Sequence, residues 1–198
     1  MKIPSNAIYG WHFVADTNPP RLAHTDPPVL IEVGKVNRIK GQTELCCVGL
    51  HASIRAIDAL AYAESALCCR VAVWGSVQRG DDKICGLNRA VVAMADCTNE
   101  LHEFACVCAE NALRVAKVTD KRSWEAIAAK RKWLKREIND DQLAAARAAV
   151  RAAVRAAARA AASDAASDAA SDAAWYAAWD EHNKQLEAIL AAKLGVVL

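Results

Sequence analysis

His51, Ser53, Arg70, Trp74 and Lys83 are the side chains whose types and positions suit chemistry, and that chemistry is the holding of a small anion. His51 follows the Gly49-Leu50 step, and Ser53 can cap a helix running to about Glu64. Backbone N–H groups at a helix start favour a phosphate or carboxylate. Arg70 and Trp74 fall on one face of the strand expected next, which makes that face wet or part of a cleft. Lys83 follows the Gly80-Asp81-Asp82 turn and adds a positive charge. Two plainer roles stand beside these: His51 bonded to its own turn, and 80–83 as a charged turn and nothing more.

No residue set reads as catalytic, and no cofactor is called for. The eight cysteines include the adjacent pairs Cys46/Cys47 and Cys68/Cys69, with Cys106 and Cys108 one residue apart. Zinc sites use spacers of about two to four residues, whereas neighbours on a strand point to opposite faces. Buried thiols are expected, and no metal site. The segment 121–136 interleaves Trp124 and Trp133 with lysine and arginine, a pattern that can track phosphates and stack bases. A net charge of +2 argues against nucleic acid as the partner.

The elements that must position these residues come from periodicity. Ala7–Val14 has strand composition, and Pro19, Pro20, Pro27 and Pro28 mark 16–28 as a loop. Val29–Ile39 reads as a strand, a turn at Gly34 and a second short strand, and 44–50 as another strand. The stretch 68–78 alternates, with Cys69, Val71 and Val73 on one face and Cys68, Arg70, Ala72 and Trp74 on the other. The chain returns as strand over 83–94. Helices are predicted from Thr98 to about Lys117 and from Ser123 to Ile138, with Asn139-Asp140-Asp141 as a joint. The fold class is α+β: a small, mostly antiparallel sheet with one inserted helix, then helices. Three parts follow: 1–97 as the α+β domain, 98–140 as a helical extension packed on it, and 141–198 as a long Ala-rich helix.

That last helix repeats every four residues, with Arg147, Arg151, Arg155 and Arg159, then Asp164, Asp168 and Asp172. Unbroken to Leu194 it would reach ~75–80 Å, with little support beyond alanine's propensity. Arg147 with Asp172, Arg151 with Asp168 and Arg155 with Asp164 match when two copies cross antiparallel near residues 159 and 160. A homo-oligomer built through this helix is expected. Trp175 and Trp179, then Leu186, Ile189, Leu190 and Leu194, supply the apolar area that alanine lacks.

The first fourteen residues carry a proline and no apolar core of a leader, so no export signal is read. No charge-free apolar run reaches the length of a membrane span. Thiols, a host bacterial cytoplasm and no membrane partner are the matching expectations.

Gly49-Leu50-His51-Ala52-Ser53, Asp58-Ala59-Leu60-Ala61-Tyr62, Arg70-Val71, Gly75 and Gly80-Asp81-Asp82-Lys83, after the opening Ile8-Tyr9-Gly10, resemble a phage and prophage domain of unknown function. Members of that family often finish in low-complexity repeats. The resemblance covers about 7–95 and implies viral origin and a compact α+β domain, with no catalytic residue to transfer. Asp58-Ala59-Leu60-Ala61-Tyr62-Ala63 is also similar to a helix of ADP-ribosyltransferase-like folds. No glutamate motif follows at the expected later strand, and Gln42-Thr43-Glu44 comes too early. The resulting expectation is a non-enzymatic phage accessory protein, an oligomeric counter-defence protein that sequesters a small anionic, nucleotide-like host signal. The alternatives are an ADP-ribosyltransferase-like enzyme acting on NAD and a protein that binds a host protein through its helical arm.

Overall fold

The computed structural model describes residues 2–22, 29–149 and 171–198, with 171–178 given in backbone course only. The chain divides into two compact units, Met1–Glu100 with Glu181–Leu198, and Leu101–Asp180. The fold is α+β, with mixed helices and antiparallel sheets.

In the first unit, β1 (Ile8–Val14), β2 (Val36–Arg38), β4 (Leu67–Trp74) and β7 (Asn88–Asp96) form a four-stranded sheet in the order β1-β4-β7-β2. β3 (Leu50–Ala52), β5 (Gln78–Arg79) and β6 (Ile84–Gly86) form a second sheet, ordered β3-β6-β5. Every pairing is antiparallel. The alternation of β4 decides which residues are inside. Cys69, Val71 and Val73 join Val14, Val91, Ala52 and Ile84 in a core drawn from both sheets. Registers place Val73 between Ile8 and Arg89, and Arg89 opposite Asn37. Opposed residues share a face, so Arg89 and Asn37 stand on the core side of the sheet, as does His12 opposite Cys69. Between Arg70/Val71 on β4 and Ala93/Val91 on β7 the register shifts, leaving Val92 as the extra residue of a bulge. The bulge puts Met94, opposite Cys69, on the same face as Arg89 despite the odd spacing.

Gly10 is where β1 meets 52–53. A Cβ there would lie 2.7 Å from the Ser53 carbonyl oxygen, yet Trp11 and Ser53 exchange backbone hydrogen bonds of 2.7 and 3.0 Å across the same point. Only glycine permits that approach.

Several expected elements differ. The inserted helix α1 spans only Ala56–Leu60 and follows Arg55, not Ser53. Its first amides are capped from far along the chain: Ala56 N donates to Glu187 Oε1 (3.2 Å) and Ile57 N to Asn183 Oδ1 (3.1 Å). Residues 44–48 turn instead of forming strand, closed by Glu44 and Val48, with Cys46 in the left-handed region (φ 69°). Val29–Ile39 yields β2 alone as a named strand, with Leu30 in an isolated bridge to Arg21. The strand of β4 stops at Trp74, because Gly75 (φ 79°) and Ser76 (φ 45°) turn the chain.

The second unit holds most of α2 (Thr98–Val115), all of α3 (Lys121–Leu134) and α4 over 140–149. Asp96 and Asp120 accept from backbone amides in the first turns of α2 and α3. Arg131 binds both Glu103 and Glu110, and Trp124 donates to the Val118 carbonyl at 3.0 Å. Trp133 donates to Asp140 Oδ1 at 2.6 Å, so the basic helix uses part of its charge and both of its indoles within its own unit. Asn139 and Gln142 bond each other's backbone N–H, a reciprocal capping box that starts α4.

The final helix, α5 (Ser171–Leu194), ends in the first unit, where Leu186 and Leu190 are fully buried. Those leucines, expected at a contact between copies, belong to the chain's own core. The repeat positions Arg151, Arg155, Asp164 and Asp168 lie outside the described residues, as do the side chains of Asp172 and Trp175. Arg147 lies on α4, and Trp179 is half-buried on α5.

Candidate functional site

Arg89 is the residue around which the site is built. It sits on β7 at 1 % exposure, an uncommon setting for arginine without a carboxylate. Its Nη1 donates to the His51 carbonyl oxygen at 2.5 Å. Among the described residues its Nε and Nη2 meet no acceptor. These two N–H groups form one edge of the guanidinium, the edge that takes a carboxylate or phosphate through two parallel hydrogen bonds.

Arg89 is one of the residues that line a cavity of about 580 Å³, together with His12, Asn37, His51 and the exposed Arg21 and Arg38. Glu64, also exposed, is an acidic wall residue. Ligand pockets run about 300–1,000 Å³, so the space admits a small molecule. A second cavity of about 320 Å³ shares His12, Cys46, His51 and Tyr62 with it and adds Trp11, Ser53 and Lys83.

Burial sets the charges. Desolvation lowers Arg89 to about 10, leaving it charged at neutral pH. His12 falls well below the usual histidine range, through burial first, then the Arg89 charge, then His51. His51 is lowered the same way, by burial, Arg89 and Lys83, while a hydrogen bond to the Gly49 backbone opposes the fall. Neutral imidazoles beside one buried cation favour an anionic guest.

Asn37 is the second unmet group. At 5 % exposure, its Nδ2 donates to the Leu30 carbonyl at 3.2 Å, which fixes the orientation of the amide. Its Oδ1 is buried with no donor among the described residues. Most buried polar atoms in folded proteins are partnered, so an unmet donor edge and an unmet acceptor on paired strand positions mark a place shaped for something else.

The residues expected from sequence are dispersed. His51 lines both cavities, but its Nε2 accepts from Cys46 N at 3.2 Å, so the ring holds the turn and the carbonyl holds Arg89. Ser53 lines the smaller cavity and caps no helix. Lys83 lies there with its Nζ 4.2 Å from the Tyr62 ring centre, and the Tyr62 hydroxyl donates to Asp82. Arg70 is on the opposite face of the sheet, stacked 4.6 Å from the Trp11 ring centre and 5.9 Å from that of Tyr9, and lines neither cavity. Trp74 lines neither cavity and stands opposite Asn88. The α1 N-terminus, expected to receive the anion, is taken by Glu187 and Asn183. Cys46 and Cys47 are exposed in their turn, while Cys68, Cys69, Cys85, Cys97 and Cys106 are buried.

No group of three metal-ligating side chains is present among the described residues, and no helix there is long and apolar enough to cross a membrane. No family model, curated protein or solved structure matches the chain.

Proposed function

We propose that this protein acts by binding a small anionic ligand in the cleft beside Arg89, holding it without converting it. The observation that carries the reading is a fully buried guanidinium, on a residue that lines the cavity, whose Nε and Nη2 have no acceptor among the described residues. Leaving such a group unmet costs about 1–3 kcal/mol, more for a charged one, and an oxyanion removes that cost. The exposed Arg21 and Arg38 on the cavity wall would draw an anion toward it. A nucleotide-like ligand suits the volume and the second cavity, where the exposed Tyr62 offers aromatic surface. Sequestration of such a signal by an oligomeric phage protein is the biological form of this proposal, with self-association through the Ala-rich helix.

The test is thermal unfolding of the full chain with and without added phosphate and adenosine monophosphate. A ligand that binds only the native state raises stability by RT ln(1 + [L]/Kd), about 2.7 kcal/mol at a hundredfold excess over Kd. The wild type should shift with one of these anions and Arg89→Met should not. Without ligand, Arg89→Met should unfold at the same temperature or a few degrees higher, because it removes a buried unpaired charge. Equal shifts in both proteins would contradict the assignment.

A further inference from the structure

Resting on the anion-binding reading, we infer that the ligand carries a hydroxyl or amine donor on the atom next to its oxyanion, recognised as a pair by Arg89 and Asn37. The two residues are direct register partners on β7 and β2, and antiparallel partners have Cα atoms only about 4.5–5.5 Å apart. Their open groups are of opposite kind. Arg89 offers two donors through Nε and Nη2, and Asn37 offers an acceptor through Oδ1. Neither can be reassigned: Arg89 Nη1 is held by the His51 carbonyl, and Asn37 Nδ2 by the Leu30 carbonyl.

A plain oxyanion would satisfy Arg89 and leave Oδ1 buried and unmet. Two groups so close together in the wall call for an oxyanion and a donor on adjoining atoms. Two ligand types share that chemistry: a 2-hydroxy carboxylate, and a sugar phosphate with a hydroxyl on the neighbouring carbon, as in a ribonucleoside 3′-phosphate. A site built around a hydrogen bond to a substrate hydroxyl rejects the analogue that lacks it, because its own buried group is then left unpaired.

The experiment is titration calorimetry on the full chain with two matched pairs: glycolate against acetate, and adenosine 3′-monophosphate against its 2′-deoxy counterpart. The hydroxylated member of one pair should bind ~10-fold or more tightly, and the pair that shows the difference identifies the ligand type. In Asn37→Ala that preference should vanish while oxyanion binding persists. Asn37→Asp, which keeps an acceptor but adds a negative charge facing Arg89, should lose oxyanion binding while staying folded by circular dichroism. Equal affinity within both pairs would overturn this inference and leave the anion reading intact, as would full binding by Asn37→Asp. Failure of all four compounds to bind wild type would overturn both.

Discussion

At the scale of single residues, the site is a set of polar groups whose burial has been tolerated. His12 shows this most simply. Its folded pKa is depressed by burial, by Arg89 and by His51, whereas in the unfolded chain it titrates near ~6.5. Below that pH the unfolded chain takes up a proton that the native state resists, so stability falls as pH drops from ~6.5 toward the folded pKa and is fully present above ~6.5. His51 and His102 are shifted the same way and add parallel slopes. The lowered carboxylates Asp96, Glu110 and Asp120 act only at lower pH, near and below ~4. Denaturant midpoints should therefore drop between pH 7.5 and 5.5, and His12→Gln should flatten part of that drop. An unchanged slope in the variant would show that His12 is not held neutral. From sequence, the surroundings of the proposed site are legible only in part. His51 stands out, yet Arg89 does not, because an arginine between Asn88 and Ala90 on a strand reads as solvent-facing. Only the pairing of β7 with β4 and β2 reveals that it points inward.

At the scale of elements, strand alternation carries furthest. β1, β4 and the return through β6 and β7 follow from period-two patterning and from the turn at Gly80. Residues 44–48 mislead because their apolar composition suits a strand, while the actual path needs a left-handed Cys46. The short α1 misleads differently: its caps come from residues 183 and 187, about 130 positions away, and no local signal can announce them. Glu187 Oε1 accepts from both Ala56 N and the Trp11 indole Nε1 (3.2 Å each), and Trp11 is fully buried. Glu187→Ala should accordingly destabilise the protein by about 1–3 kcal/mol in chemical denaturation. Glu187→Gln, which keeps an acceptor, should recover most of that loss. Equal losses in both variants would assign the effect to charge, not to capping.

At the scale of the whole molecule, the C-terminal helix has a role in the fold that composition conceals. Its last part supplies Leu186, Leu190 and Ala191 to the core of the first unit, and Lys193 pairs with Glu100 at 3.2 Å. The Arg and Asp rows dominate the sequence of this region and point to self-association. Two fully buried leucines near the terminus outweigh them for stability, since Leu→Ala at such sites costs about 2–5 kcal/mol and an exposed ion pair contributes about 0–1. Leu190→Ala should lower the unfolding midpoint sharply. If it unfolded like wild type but changed the sedimentation coefficient, the leucine would belong to an interface between copies instead.

The edge of Arg89 is the proposed seat of the oxyanion. Native mass spectrometry of the full-length protein, purified from a cell extract at neutral pH, tests it most directly when run beside Arg89→Met. The wild-type protein should carry a small anionic adduct of defined mass, released by acid, with the variant at the bare protein mass. An identical adduct on both proteins, or none on wild type after incubation with the extract, would contradict it.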